Sequence, residues 1–120
     1  MNTLDRLNAW YASQCDGRWE HDAGITIASL DNPGWRVNIN IQGTALANRS
    51  FEVISKNVPR EFIDQAMGRV KVPFTCASPT SESDWLLCFV TAQGFNGAGD
   101  PTKLEEILIQ FLNWAESNGK

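Results

Sequence analysis

Between Thr3 and Gln14 the apolar residues Leu4, Leu7, Trp10 and Tyr11 recur at helical spacing, so the chain opens with a helix. Thr3 stands where an N-cap belongs, and Asp5 falls in the first turn, where the helix dipole favours a carboxylate. Gly17 is the natural stop, because glycine readily takes the left-handed conformation that follows helices. From Gly24 the period changes to two. Ile25, Ile27 and Ser29 share one face of a strand, and Asp31-Asn-Pro-Gly34 has the turn chemistry of a hairpin. The next strand alternates cleanly, with Trp35, Val37, Ile39 and Ile41 on one face and Arg36, Asn38, Asn40 and Gln42 on the other. One face packs, and the other meets water or a partner. Phe51 to Lys56 reads as a third strand with Phe51 and Val53 inward.

Further along, Pro59 to Met67 has the form of a short helix stopped by Gly68, Val70 to Cys76 that of an edge strand containing Pro73, and Ser78 to Ser83 that of a polar loop. Trp85-Leu-Leu-Cys-Phe-Val90 is apolar on both faces, which suits a central strand and makes Cys88 a small buried hydrophobe. Gly94 to Gly99 reads as a loop entering a helix that starts at Asp100-Pro101 or Thr102 and runs to about Ser117. Thr102 and Glu105 have capping-box spacing. Leu104, Ile107, Leu108, Phe111, Leu112 and Ala115 form a wide apolar stripe with Trp114 beside it, and that stripe needs a sheet or the first helix to cover it. The pattern predicts one α+β domain over residues 1–120: an antiparallel sheet of four to five strands flanked by an N-terminal and a C-terminal helix.

Composition narrows the function. With 120 residues, 42% hydrophobic positions and five tryptophans, the chain can bury a real core but has no room for a separate cofactor domain. Fourteen acidic residues against ten basic ones give a net charge of -4. No basic run or stripe is present to displace counterions from phosphates, which argues against nucleic acid. An acidic surface speeds encounter with a basic protein, or serves solubility alone. Three cysteines, Cys15, Cys76 and Cys88, leave one unpaired in any disulfide scheme, and no signal segment precedes the first helix, so the expectation is reduced thiols and a cytoplasmic protein. No apolar run reaches the roughly 18 residues needed to span a bilayer, and a membrane role is not expected.

The chemistry is concentrated in Tyr11-Ala-Ser-Gln-Cys-Asp-Gly-Arg-Trp-Glu-His21, which straddles the end of the first helix. Cys15 and His21 are the pieces of a nucleophile and its base, but Cys15 sits near a helix C-terminus, where the dipole disfavours a thiolate. Cys15, Asp16, Glu20 and His21 lack the paired spacing that places ligands around zinc, so no metal is expected. The glycines before the last helix lack the Lys-Ser/Thr of a phosphate loop, and Asp100 would repel a phosphate, so no cofactor is expected either. Asp16 and Glu20 can be read as an acid-base pair, or as carboxylates for a partner's Arg or Lys with Trp19 as an aromatic anchor.

The string from Trp10 through Gln14-Cys-Asp-Gly17 to Trp19-Glu-His21, then Gly24-Ile-x-Ile27, Leu30-Asp-Asn-Pro-Gly-Trp35 and Gly43-Thr44, resembles the bacterial immunity protein 53 family of polymorphic toxin systems. Phe95-x-Gly97-x-Gly99-x-Pro101, Leu104-Glu-Glu-Ile107 and Phe111-x-x-Trp114 are similar as well. The resemblance implies a cytoplasmic protein that binds and neutralises a cognate toxin and is not an enzyme. Residues 57–84 depart from the compact family pattern, and an insertion there is a candidate toxin-specific loop. The candidate partner surface is then Asp16, Trp19, Glu20 and His21 with Arg36, Asn38 and Asn40 from the second strand. The alternative is a small thiol-dependent enzyme using Cys15 and His21.

Overall fold

A computed structural model of the chain describes residues 2–22, 24–31, 33–58, 63–64, 84–92 and 94–118. Helix α1 spans Thr3–Gln14 and a single 3-10 turn covers Trp19–His21. Five strands follow, β1 Ile25–Leu30, β2 Gly34–Asn40, β3 Ile54–Lys56, β4 Leu86–Val90 and β5 Gly94–Gly99, before helix α2 at Leu104–Asn118. The strands form one antiparallel sheet in the order β1-β2-β5-β4-β3. The α+β expectation of an antiparallel sheet with an N-terminal and a C-terminal helix is therefore met. Apart from Ile63 and Asp64, the helix expected over Pro59–Met67, the strand Val70–Cys76 and the loop Ser78–Ser83 lie outside the described residues.

The hairpin follows the turn chemistry, with Leu30 opposite Gly34 and Ile25 opposite Ile39. Alternation along β2 then assigns the faces. Val37 and Ile39 are fully buried beneath α2, whereas Arg36 is exposed and Asn38 and Asn40 are half-buried on the reverse side. The apolar stripe of α2 supplies Ile107, Leu108, Phe111, Leu112 and Ala115 to the core, where they meet Val37, Ile39, Leu86, Cys88 and Phe95. Burying each large side chain of this set contributes about 1.5–3 kcal/mol. Helix α1 lies against α2, with Leu7 buried and the Arg6 guanidinium bonded to both oxygens of Glu116 and to Asn113. Leu4 and Tyr11, which share its helical spacing, stay exposed.

Four local expectations are corrected. Asn2, not Thr3, caps α1: its side-chain oxygen accepts the Asp5 N–H at 2.8 Å, while the Thr3 hydroxyl donates to Glu105. That contact, together with the Thr102 hydroxyl donating to Asp100, leaves the Thr102–Glu105 capping box unformed, and α2 begins at Leu104. The third strand is Ile54–Lys56 alone; Ile54 packs on the core while Val53 is exposed, and Phe51 reaches inward from before the strand to stack edge-on against Phe95 and Trp114.

The largest correction is Gly94–Gly99, which is the central strand of the sheet and not a loop. The middle glycine answers to the helix above. A Cβ on Gly97 would collide with Cγ2 of Ile107 and lie 3.2 Å from Cε2 of Phe95, so the absence of a side chain is what lets α2 approach the sheet.

Candidate functional site

The segment after α1 folds into a loop held by its own carboxylates. Asp16 Oδ1 accepts the N–H groups of Arg18 and Trp19 at 2.9 and 3.0 Å, and the Glu20 carboxylate returns to accept those of Asp16 and Gly17 at 3.0 and 2.7 Å. Gly17, at φ +90°, supplies the left-handed residue that the reversal requires. These bonds also set the charge. The N–H groups of Trp19 and Arg18 hold the Asp16 carboxyl below its ordinary value, and for Glu20 its own N–H and those of Asp16 and Gly17 do the same.

Trp19 is 5% exposed. Its indole N–H donates to the carbonyl of Asn40 at 3.0 Å, and its ring meets Trp10 and Tyr11 edge-on, with Trp10 continuing to Phe111 at 4.8 Å between centroids. Each such aromatic pair contributes about 0.5–1.5 kcal/mol. The loop is thus anchored to α1 and the end of β2, and through Trp10 to α2. Asn40 completes the attachment: its amide donates to Asp22 O and its oxygen accepts from Gln42 N–H, both at 3.0 Å.

Loop and sheet together enclose a cleft of about 470 Å³. Trp19 contributes an apolar wall, and Asp16, Arg18, Asp22, Thr26, Asn38 and Asn96 its polar groups. Across the sheet Thr26, Asn38, Asn96 and Phe89 stand in one row on the face away from α2. Within that row the Asn38 amide donates to the Asn96 oxygen. The cleft is richer in charged and amide groups than the largely apolar pockets that hold small-molecule ligands, and it offers a surface for polar side chains or backbone.

Of the residues expected to form the partner surface, Asp16, Trp19, Asn38 and Asn40 line this cleft. Trp19 enters as part of its wall, not as a protruding ring, and Glu20 braces the loop behind it. His21 is exposed at the end of the 3-10 turn, and Arg36 is exposed one row further along β2. Asp22, Thr26 and Asn96 escaped sequence reasoning. Asn96 was hidden in a stretch read as loop; its signal is the cross-strand pairing with Asn38 that appears once Gly94–Gly99 is written as a strand.

The pieces of the thiol chemistry stay separate in their bonding. The Cys15 thiol donates to the Tyr11 carbonyl at 3.3 Å, and His21 bonds through its backbone N–H to Arg18 O. Cys88 is fully buried, and desolvation pushes its thiol up to about 12. No group of three or more His, Cys, Asp or Glu side chains suited to a metal ion occurs among the described residues. Nor is any helix there long and apolar enough to cross a membrane.

The sequence model of the family described as immunity protein 53 matches residues 4–116. The chain belongs to that family. It is an immunity protein of a polymorphic toxin system, and proteins of this family are generally not enzymes. Neither a search of curated proteins nor one of solved structures gives a match.

Proposed function

We propose that this immunity protein binds a cognate toxin in the cytoplasm of the cell that makes both and neutralises it by occupying the toxin's working surface. The family match over residues 4–116 carries the reading. The outer face of the β1-β2-β5 half of the sheet is the surface it fits best. There the cleft, the exposed Arg36 and His21, and the Asn38–Asn96 pair present polar groups that the core does not use. Asp16 and Glu20 act by shaping the loop, and through their charge they favour a basic partner. Cytoplasmic placement agrees with the free thiols of Cys15 and Cys88.

Mixing the purified protein with the product of the adjoining toxin gene is expected to give a stable complex and to abolish toxicity. Arg36→Ala and Asn38→Ala together are expected to weaken binding by tenfold or more without loss of folding. Wild-type protein that neither binds nor protects against that toxin would overturn the reading.

A further inference from the structure

The two edges of the sheet are built differently. Strand β3 is three residues long, its Lys56 is paired with Asp84 at 2.8 Å, and Asn57 at φ 58° ends it. Short, charged edges of this kind resist further pairing. Strand β1 has six residues, Ile-Thr-Ile-Ala-Ser-Leu, with no charge and no proline, and no described strand lies beyond it. Ile27 on this edge is 41% exposed.

The direction of its free backbone groups follows from one bond. Asn40 N–H donates to Gly24 O at 2.8 Å, which makes Gly24 and Asn40 a hydrogen-bonded pair in the β1-β2 register. Antiparallel ladders alternate, so Thr26, Ala28 and Leu30 turn their N–H and C=O groups toward β2. Ile25, Ile27 and Ser29 turn theirs toward the open edge.

Charge selects the occupant. Asp22 precedes β1 and Asp31 follows it; both are exposed, and neither is in an ion pair among the described residues. A second copy pairing antiparallel through β1 would bring Asp31 of each chain toward Asp22 of the other, at both ends of the seam, between molecules that each carry a net charge of -4. An extended segment with basic residues at both ends meets opposite charge at the same places.

We propose that β1 is the docking edge for an extended segment of the protein partner, about five or six neutral, β-prone residues flanked by Lys or Arg, which adds to the sheet as a further strand. On the toxin reading above, that segment belongs to the toxin. Its side chains alternate between the row of Thr26 beside the cleft and the row of Ile27, so an apolar residue opposite Ile27 covers the exposed isoleucine.

Amide hydrogen exchange followed residue by residue tests this with two probes, the adjoining toxin and a lysine-flanked peptide of alternating threonine and valine. In the free protein the N–H groups of Ile27 and Ser29 should exchange fast and those of Thr26 and Ala28 slowly. With either probe the first pair should slow by tenfold or more, and a glutamate-flanked peptide should leave it unchanged. Ser29→Pro removes one outward N–H and spares the ladder to β2; it should weaken toxin binding at least tenfold while the unfolding midpoint stays near the wild-type value. If Ser29→Pro fails to fold, Asp22→Asn with Asp31→Asn is the substitute, and it too should weaken binding. Toxin that binds while the Ile27 and Ser29 amides stay fast would overturn the docking edge and leave the toxin reading standing. Toxin that does not bind, with a peptide that protects both amides, would do the reverse. Amides already slow in a dimeric free protein would assign the edge to a second copy.

Discussion

Gly97 sits in the middle of the central strand directly beneath Ile107, which is fully buried in α2. Gly97→Ala adds one methyl group where Ile107 Cγ2 already stands, with Phe95 alongside. Overpacking of this kind costs about 1–3 kcal/mol because a buried helix and sheet must separate locally. Replacing glycine restricts the unfolded chain and returns about 0.4–1 kcal/mol. The net expectation is a loss of about 1–2 kcal/mol, which for a chain of this size lowers the thermal midpoint by about 4–8 °C. Urea denaturation followed by circular dichroism measures it, and the slope should be unchanged. A double-mutant cycle then isolates the cause. Ile107→Ala alone should cost about 2–5 kcal/mol by opening a cavity. With Gly97→Ala in the same chain the new methyl fills part of that space, so the combined loss should fall short of the sum by about 1 kcal/mol or more. A neutral Gly97→Ala, or strictly additive losses, would refute the idea that this glycine sets the helix-to-sheet distance.

Asp100 is 1% exposed and accepts the N–H of Trp85, the N–H and hydroxyl of Thr102, and the ammonium of Lys103, which also pairs with Asp84. Burial acts to raise its carboxyl, but the bonds from Thr102, Lys103 and Trp85 outweigh that and hold it well below the ordinary range. Its contribution is therefore complete above about pH 4, the unfolded value, and is lost as pH falls below that. Asp100→Ala should cost about 3–5 kcal/mol at pH 7, and acid denaturation curves should show a shallower fall in stability from pH 5 to 3 for the variant than for the wild type. Iodoacetamide should label Cys15 in the native protein and Cys88 only after unfolding, as peptide mass spectrometry will read. Cys15→Ser should leave toxin protection unchanged, and loss of protection would restore the thiol to a functional role. Asp16→Ala removes the acceptor for Arg18 and Trp19 N–H, and both amides should lose exchange protection while those of β2 keep it.

The sequence announced most of the elements because their side chains alternate with a readable period. The hairpin of β1 and β2, the doubly buried β4 and the stripe of α2 are all visible as patterns of Ile, Val, Leu and Phe. Strand β5 was invisible for the opposite reason: period two is carried by side chains, and Gly94, Gly97 and Gly99 have none. Their neighbours come from elsewhere in the chain: Ile107 of α2 over Gly97, the Ile39 backbone beside Gly94, and Lys103 with the Trp85 carbonyl beside Gly99. The candidate site was legible in residue type and not in role. Asp16 and Glu20 are present as expected, but whether a carboxylate faces solvent or caps its own loop depends on a chain reversal at Gly17 that composition does not specify. Trp19 likewise reads as an anchor by type, and its burial follows from the bond to Asn40, 21 positions away.

Along β1, β2 and β5, consecutive residues serve opposite sides of one sheet: Val37 and Ile39 fill the core while Asn38 between them reaches the cleft. The outward set can therefore vary without touching the scaffold. On the binding face proposed above, a library varying residues 26, 36, 38 and 96 is expected to change partner choice while the fold stays the same. The same alternation sets a limit, because inserting or deleting a single residue within β2 would carry the outward polar set into the core and the core set into water.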